Sequence, residues 1–441
     1  MVVKQGFSRV THVLTLNTRV NVSNIRLEEL IRGEICSLCR GSRYLCGLTY
    51  CPLLVEFYSR VSVKLVKFSD LIEGSSPPSV FVGRVGYPKV NVGPSLPPQV
   101  GDTKEYELPE VWIGKSLEDI LVKRLSMVVG VTQVKVRDVG TNYVAKIQEL
   151  ALSEKPVDVE VLLDKKYFRK PLFGEEVPPF GPRALLRDVR VVSNPYFGRP
   201  VEKVFGDTDL KAVEAVLLLY KEGVPVSRIQ RIFSVGALGK FTDRRLVPTR
   251  WSITAVDDII SRSLIKKVRG LPELGEILVY VREYMKNLFV AVLLPGVWSY
   301  EWVEAWFPGS TWNPSGIRVA IGGDHEGPSG KSEYALTGGC YYAARLGVAE
   351  HLLHRLGRQA TVFLYREIYE GFNIPIGVWF VRENIRKLFE SRPARFSDLN
   401  EVLGFLKGRT RVSVEEIVRY SYILRNYGRV RTLDSFCRKS T

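Results

Sequence analysis

Residues 36–51 read Cys36-Ser-Leu-Cys39-Arg-Gly-Ser-Arg-Tyr-Leu-Cys46-Gly-Leu-Thr-Tyr-Cys51, a C-x2-C-x6-C-x4-C pattern. Four of the chain's 6 cysteines fall in this window. Cys-x-x-Cys is the spacing at which two thiolates reach one tetrahedral ion from a single tight turn. Gly41 and Gly47 give such a knuckle permissive backbone. No His lies nearby, so Cys36, Cys39, Cys46 and Cys51 form an all-thiolate set. Four protein ligands close the coordination sphere, which indicates structural zinc in preference to a catalytic metal. An iron–sulfur cluster is the main alternative. Two disulfides are disfavoured, because the start Met-Val-Val-Lys-Gln-Gly carries no secretory pattern and cytoplasmic thiols stay reduced.

Outward from this knuckle, 441 residues suggest two or three domains, and 45% hydrophobic residues supply a sizeable core. The longest apolar run, Leu288 to Val297, is interrupted by Pro295 and falls short of a membrane span. A cytoplasmic protein without a membrane partner is expected. The net charge of +16 favours a polyanionic partner, above all nucleic acid. Only 3 methionines occur, a depletion of labile residues that suggests a thermophile.

The pattern along the chain predicts a mixed α/β or α+β protein of several domains, with the knuckle ahead of an α/β core. A short strand and a helix are expected in 10–30, and helical spacing runs from Leu53 to Val66. The β-branched stretches between the prolines of 73–103 read as strands joined by tight turns. Leu117–Val129 reads as a helix, 134–161 as strand, turn and strand, and 166–182 as a Pro/Gly-rich loop. Helices are expected at 210–220, 224–234 and 253–267, the last capped by Ser252 or Thr254. Strands follow at 276–282, 288–294, 318–321 and 361–365, and a long helix at 339–356. Trp298, Trp302 and Trp306, four apart, are expected on one face of a helix, with Glu301 and Glu304 on the same helix. Core packing is the simpler reading of this stripe, and base stacking the functional one.

Three further segments carry candidate chemistry. Residues 322–332, Gly-Gly-Asp-His-Glu-Gly-Pro-Ser-Gly-Lys-Ser, resemble a phosphate-binding loop with its glycine register broken: His325 stands where the first glycine belongs. An exposed, mobile loop is expected instead. His325, flanked by Asp324 and Glu326, remains a candidate for acid–base or metal work. In 243–258, Arg244, Arg245 and Arg250 offer forked donors for phosphate, and Trp251 a stacking surface. Asp257 and Asp258 are candidate catalytic carboxylates, against the simpler reading of an Arg–Asp network around a buried Trp. Near the end, Leu433 and Phe436 stand three apart among basic residues. On one helical turn they would form an apolar plug for a partner's pocket. The last 61 residues hold fourteen Lys/Arg against seven Asp/Glu.

The chain resembles the archaeal Nre family of DNA repair proteins over nearly its whole length. The resemblance rests on the segment ending Cys46-Gly-Leu-Thr-Tyr-Cys-Pro-Leu-Leu, on Phe81-Val-Gly-Arg-Val-Gly-Tyr-Pro-Lys-Val-Asn-Val-Gly-Pro, and on Arg244-Arg-Leu-Val-Pro-Thr-Arg-Trp-Ser-Ile-Thr-Ala-Val-Asp-Asp. Trp302-Val-Glu-Ala-Trp-Phe-Pro-Gly-Ser-Thr-Trp-Asn and Pro375-Ile-Gly-Val-Trp-Phe-Val-Arg-Glu-Asn-Ile-Arg add to it. It implies a four-Cys zinc finger at Cys36, Cys39, Cys46 and Cys51, and a C-terminal Gln-x-x-Leu-x-x-Phe-Phe motif that docks on the sliding clamp PCNA. Leu433 and Phe436 fit that motif, but Val430 replaces its Gln and Cys437 its second aromatic, so weakened docking is expected. The implied organisation is an N-terminal segment with the zinc finger (1–60), an Nre N-terminal core (61–290), a C-terminal domain (291–425) and a basic tail (426–441) carrying the degenerate motif at 430–437. A DNA-contacting repair factor recruited to PCNA is the expected function. A hydrolase acting on nucleotides or DNA ends, and an RNA-binding module, are the alternatives.

Overall fold

The computed structural model describes residues 35–41, 43–48, 51–54, 70–169 and 171–428. Two six-stranded sheets organise the chain. The first takes β1 (Leu71–Ser76), β2 (Ser79–Val82) and β3 (Lys89–Leu96), then, around helices α1 (Leu117–Ser126) and α2 (Asn142–Leu152), β4 (Val128–Lys135), β5 (Val157–Arg169) and β6 (Arg183–Val191). Its order is β1-β5-β6-β4-β3-β2, antiparallel except where β4 meets β6. A helical layer follows: α3 (Arg199–Gly206), α4 (Ala212–Lys221), α5 (Val226–Ser234) and α6 (Thr249–Val268). The second sheet comprises β7 (Ile277–Tyr284), β8 (Asn287–Leu294), β9 (Ser299–Trp306), β10 (Ala320–Glu326), β11 (Thr361–Ile368) and β12 (Ala394–Phe396), in the order β10-β9-β11-β8-β7-β12. Helix α7 (Gly339–His351) precedes β11, α8 (Trp379–Leu388) precedes β12, and α9 (Leu399–Leu406), α10 (Val414–Tyr420) and α11 (Tyr422–Asn426) close the described chain.

Strand alternation sorts the second sheet's side chains between two cores. On β9, Tyr300, Trp302 and Trp306 face the side packed by α6, α7 and α8, a core continuous with that of the first sheet. Val303 and Ala305 face the other way, onto Val402, Leu406, Ile417, Ile423 and Leu424 of the C-terminal helices. β8 is buried along its whole length because both of its faces are covered. Helices α6 and α7 run side by side in the same direction: the start of α7 at Gly339 lies beside Thr254, and Arg345 further along it beside Ser261.

Several expectations need correction. The stretch 134–161 contains helix α2, started by Thr141, whose side chain accepts from the Val144 amide; Val144, Ile147 and Ala151 form its buried stripe. The tryptophans lie on or beside strand β9, not a helix. A spacing of four is even, so it keeps residues on one face of a strand as well as of a helix, and it could not tell the two apart. All three are buried, which gives them the core role and removes base stacking. Glu301 and Glu304, three apart on a strand, point to opposite faces. Residues 320–326 form β10 and 327–330 a tight turn, so the Gly/His/Lys segment is mostly strand edge, not loop. Helix α6 starts at Thr249 with Pro248 as N-cap, four residues earlier than expected, which puts Arg250 and Trp251 in its first turn. The expectations for 10–30 and for most of 53–66 lie outside the described residues, as do Leu433 and Phe436.

Candidate nucleic-acid interface

The cysteine segment begins with a helical turn over 35–39 that carries Cys36 and Cys39. Arg40 and Gly41 then take positive φ, and a side chain at Gly41 would collide with Leu54. Gly47 closes a second turn through its amide on the Tyr44 carbonyl, 2.9 Å. Cys36, Cys39, Cys46 and Cys51 all line one cavity of about 150 Å³. The Cys51 thiol is pushed up by burial first, with Cys39 and Cys46 adding to the shift. The donor set and its shared cavity suit a soft tetrahedral ion. As placed, though, no three His, Cys, Asp or Glu side chains among the described residues stand close enough together to hold a metal.

Arg40 ties this segment to the core. Its guanidinium pairs with Glu304 and Glu175 (3.2 Å to the latter) and donates to the Thr337 carbonyl at 2.9 Å. Glu304 is shared with Arg366 at 3.0 Å, and Glu175 accepts from the Trp312 indole at 2.6 Å. Burial works against the Arg40 charge, but Glu304 and Glu175 outweigh it and raise the pKa. The partners are matched and buried, so the array is an anchor.

Beside this anchor the balance differs. Arg43 follows from the cysteine segment, Arg84 from the turn after β2, and Arg250 from the first turn of α6. Arg250 pairs with Glu176, which is 5% exposed. Arg43 donates to the Ala335 carbonyl at 2.8 Å and lies 5.9 Å from the Tyr334 ring. Arg84 is hydrogen-bonded to Tyr44. Both Arg43 and Arg84 are lowered, by burial first and then by neighbouring arginines: Arg40 and Arg250 act on Arg43, and Arg250 on Arg84. Guanidinium groups do not deprotonate, so the depression marks two charges held in a partly buried place, with neighbouring arginines adding to the cost. Burial, with Glu176 next, pushes Tyr334 up to about 12. Trp251 is 44% exposed, and its ring centroid lies 5.3 Å from that of Tyr87, itself 47% exposed. The Val82 amide donates to Thr249 at 2.9 Å and fixes the hairpin against the helix start. The result is an open aromatic pair next to Arg250, with Arg43 and Arg84 near enough to feel its charge.

The other expected site residues lie elsewhere. Arg244 donates to the carbonyls of Gly239 (2.9 Å), Phe205 (2.8 Å) and Asp207 (3.1 Å), a loop-holding role. Arg245 is exposed and away from these contacts. Asp257 is fully buried and accepts from Arg382 at 3.0 and 3.2 Å and from Gln230 at 2.8 Å. Burial outweighs Arg382 and pushes its carboxyl up to about 6. Asp258 pairs with Arg345 and Arg262. These two carboxylates hold helices together through their ion pairs. His325 stacks on Tyr422 at 4.0 Å, while Asp324 and Glu326 on either side turn inward to Lys331 and Arg345. Strand alternation therefore separates that trio. Of the residues expected to bind nucleic acid, Arg250 and Trp251 are brought to this surface. Arg43, Tyr44, Arg84, Tyr87, Glu176 and Tyr334 were missed; the only local signal was Arg84 and Tyr87 alternating base and ring within one turn.

Two family models match the chain: archaeal Nre, N-terminal, over residues 45–313, and archaeal Nre, C-terminal, over residues 326–436. The DNA repair protein NreB of Archaeoglobus fulgidus is 45% identical over 401 residues, which is 91% of this chain and 99% of that protein. The DNA repair protein NreA of the same organism is 37% identical over 370 residues, 83% of this chain and 92% of its own. NreA of Haloferax volcanii is 36% identical over 374 residues, 80% and 88% respectively. No solved structure matches. Matched over 45–313 by one model and 326–436 by the other, the chain belongs to the archaeal Nre family.

Proposed function

We propose that the protein is a DNA-contacting repair factor that meets DNA at the junction of Arg43, Arg84 and Arg250 with Trp251 and Tyr87. Membership of a family of DNA repair proteins gives it a role in DNA repair. The observation that supports the contact is the exposed Trp251–Tyr87 pair beside Arg250, which pairs with Glu176, and beside Arg43 and Arg84, which feel the same carboxylate. Stacking on open rings and a phosphate-binding cation cluster are the two terms of single-strand binding. Cys36, Cys39, Cys46 and Cys51 would hold a structural zinc, which supplies a covalent-like staple to the segment carrying Arg43 and Tyr44. Leu433 and Phe436 would dock on PCNA, more weakly than a full motif would. The net charge of +16 is consistent with a DNA partner. Among the described residues no helix is long and apolar enough to cross a membrane. The hydrolase reading loses its carboxylates, since Asp257 and Asp258 are engaged in packed ion pairs.

The test is a titration of the full chain with single-stranded and duplex DNA and with RNA at several salt concentrations. Affinity for DNA that falls steeply with salt, and that weakens in Trp251→Ala at unchanged Tm, supports the reading. A tryptophan variant that binds like the parent overturns it, and tighter binding to RNA hands the surface to the RNA-binding alternative. Zinc near one ion per chain, lost in Cys39→Ser, and PCNA capture that falls in Leu433→Ala/Phe436→Ala, check the other two parts.

A further inference from the structure

We infer, building on the DNA-binding reading of this surface, that it takes a nucleotide phosphomonoester at the end of an unpaired DNA strand, with the terminal base stacked on Trp251 and Tyr87. Arg43, Arg84 and Arg250 come from three separate segments into one neighbourhood: Arg250 pairs with Glu176, Arg43 lies 5.9 Å from the Tyr334 ring, and Arg84 is hydrogen-bonded to Tyr44, the residue after Arg43. A strand's backbone is followed by a line of cations along a groove, whereas a tripod of guanidiniums matches the three terminal oxygens of a monoester. Three positive charges stand against Glu176, the carboxylate felt by both Arg43 and Arg84, which leaves an excess of two. A monoester near neutral pH carries about −1.5 to −2, close to that excess, whereas an internal diester carries one charge.

The scaffold adds to the same potential. The starts of α6, 20 residues long, and α7, 13 residues long, lie together here, and helix starts favour anions. Gly338 holds φ +65, and a side chain at Gly339 would press on Glu176 at 3.0 Å and Val378 at 3.1 Å, so the chain passes close to the cluster only without a Cβ. The donors are only partly used among the described residues: Arg43 on one carbonyl, Arg84 on Tyr44, Arg250 on Glu176. Trp251 directly follows Arg250, and Tyr87 is three residues from Arg84, so rings and cations stand within one nucleotide's reach. Tyr44, which holds Arg84, is itself 39% exposed and extends the wall.

The experiment follows Trp251 by fluorescence, since the other six tryptophans are buried. The full chain is titrated with a dT hexamer bearing a 5′-phosphate, a 3′-phosphate or hydroxyls at both ends, and with dTMP. Binding of one phosphorylated hexamer about tenfold or more tighter than the hydroxyl form is expected, the scale of a charge-assisted contact. Arg84→Ala should abolish that preference while keeping residual binding. Arg84→Lys, which keeps the charge and loses the fork, should retain only part of it. Equal affinity for all three hexamers overturns the terminal-phosphate inference and leaves the DNA-binding reading standing. Binding of dTMP as tight as the phosphorylated hexamer overturns the strand-end element. No binding of any DNA by protein of unchanged Tm removes the DNA-binding reading and this inference with it.

Discussion

Helix α6 carries two arginine–carboxylate regions that differ in their bookkeeping. At its first turn, Arg250 pairs with Glu176, a carboxylate also felt by Arg43 and Arg84, so three cations stand near one anion, half-open to solvent beside Trp251. Two turns on, Asp257 and Asp258 meet Arg382, Arg345 and Arg262, and Glu326 and Glu383 complete a pairing that is buried around Asp257, Arg382 and Arg345 and reaches the surface at Asp258 and Arg262. Residue types are the same in both. Charge balance and access are what separate a region that holds helices together from one that can receive a ligand. A buried, matched array has satisfied its own donors, and breaking it leaves an uncompensated charge. An unbalanced, half-buried array is under electrostatic stress that an anion relieves.

This contrast can be broken by mutation. The largest effect is expected from Arg40→Ala, which strips Glu304 and Glu175 of a buried partner. A loss of about 3–5 kcal/mol is expected in urea unfolding, together with loss of DNA binding because Arg43 and Tyr44 ride on the same segment. Asp257→Asn should cost roughly 3 kcal/mol by leaving the Arg382 charge under-compensated, yet leave the affinity of the remaining folded protein for DNA unchanged. A variant that keeps its Tm and loses turnover of some substrate would reverse the roles assigned to the two regions.

Buried His351 sets the pH window for such comparisons. It is held by Tyr280 at 3.1 Å and stacked on Phe389, and burial with Arg355 nearby depresses its pKa from 6.5 to about 4. The depressed value means that the neutral ring is favoured by folding. Its contribution is complete above pH 6.5 and is lost as pH falls towards 4, about 3 kcal/mol in all. Unfolding at pH 7 and pH 4, with His351→Gln flattening the difference, checks it. The smallest effect belongs to Trp251→Ala: about 1–3 kcal/mol of DNA affinity with Tm unchanged, read by competition with unlabelled DNA. Equal losses of stability and affinity in that variant would erase the distinction between the regions.

Much of the architecture was readable from the sequence. The strands between the prolines of 73–103, the helices near 210–220 and 224–234, and the pair of strands around Tyr284–Asn287 follow from local pattern and turn residues. The tryptophans misled because a spacing of four satisfies both periods. Helix α2 was missed because its stripe begins only after Thr141, inside a run rich in β-branched residues. For the site, Arg250 and Trp251 were legible as a base-and-ring pair. Arg43 and Arg84 were not, since they are 41 residues apart and meet only through tertiary packing. Likewise, nothing local could distinguish Arg244, which holds three carbonyls, from Arg250, because the difference lies in which backbone lies opposite.

Strand β9 presents Glu301 to one face and Glu304 to the other. Glu301 accepts from the Ser421 hydroxyl at 2.5 Å and from the amides of Tyr422 and Ile423 at 2.7 and 2.9 Å, so it grips the last described helix. Glu304 grips Arg40 of the cysteine segment. In mechanical terms, the two ends of the described chain are hitched to the same strand, three residues apart, on opposite sides of one sheet. Force applied at the C-terminal helices has a short route to the cysteine segment that bypasses both domains' bulk. In a single-molecule pulling experiment the two ends should release together, as one event, with β9 as the shared fulcrum.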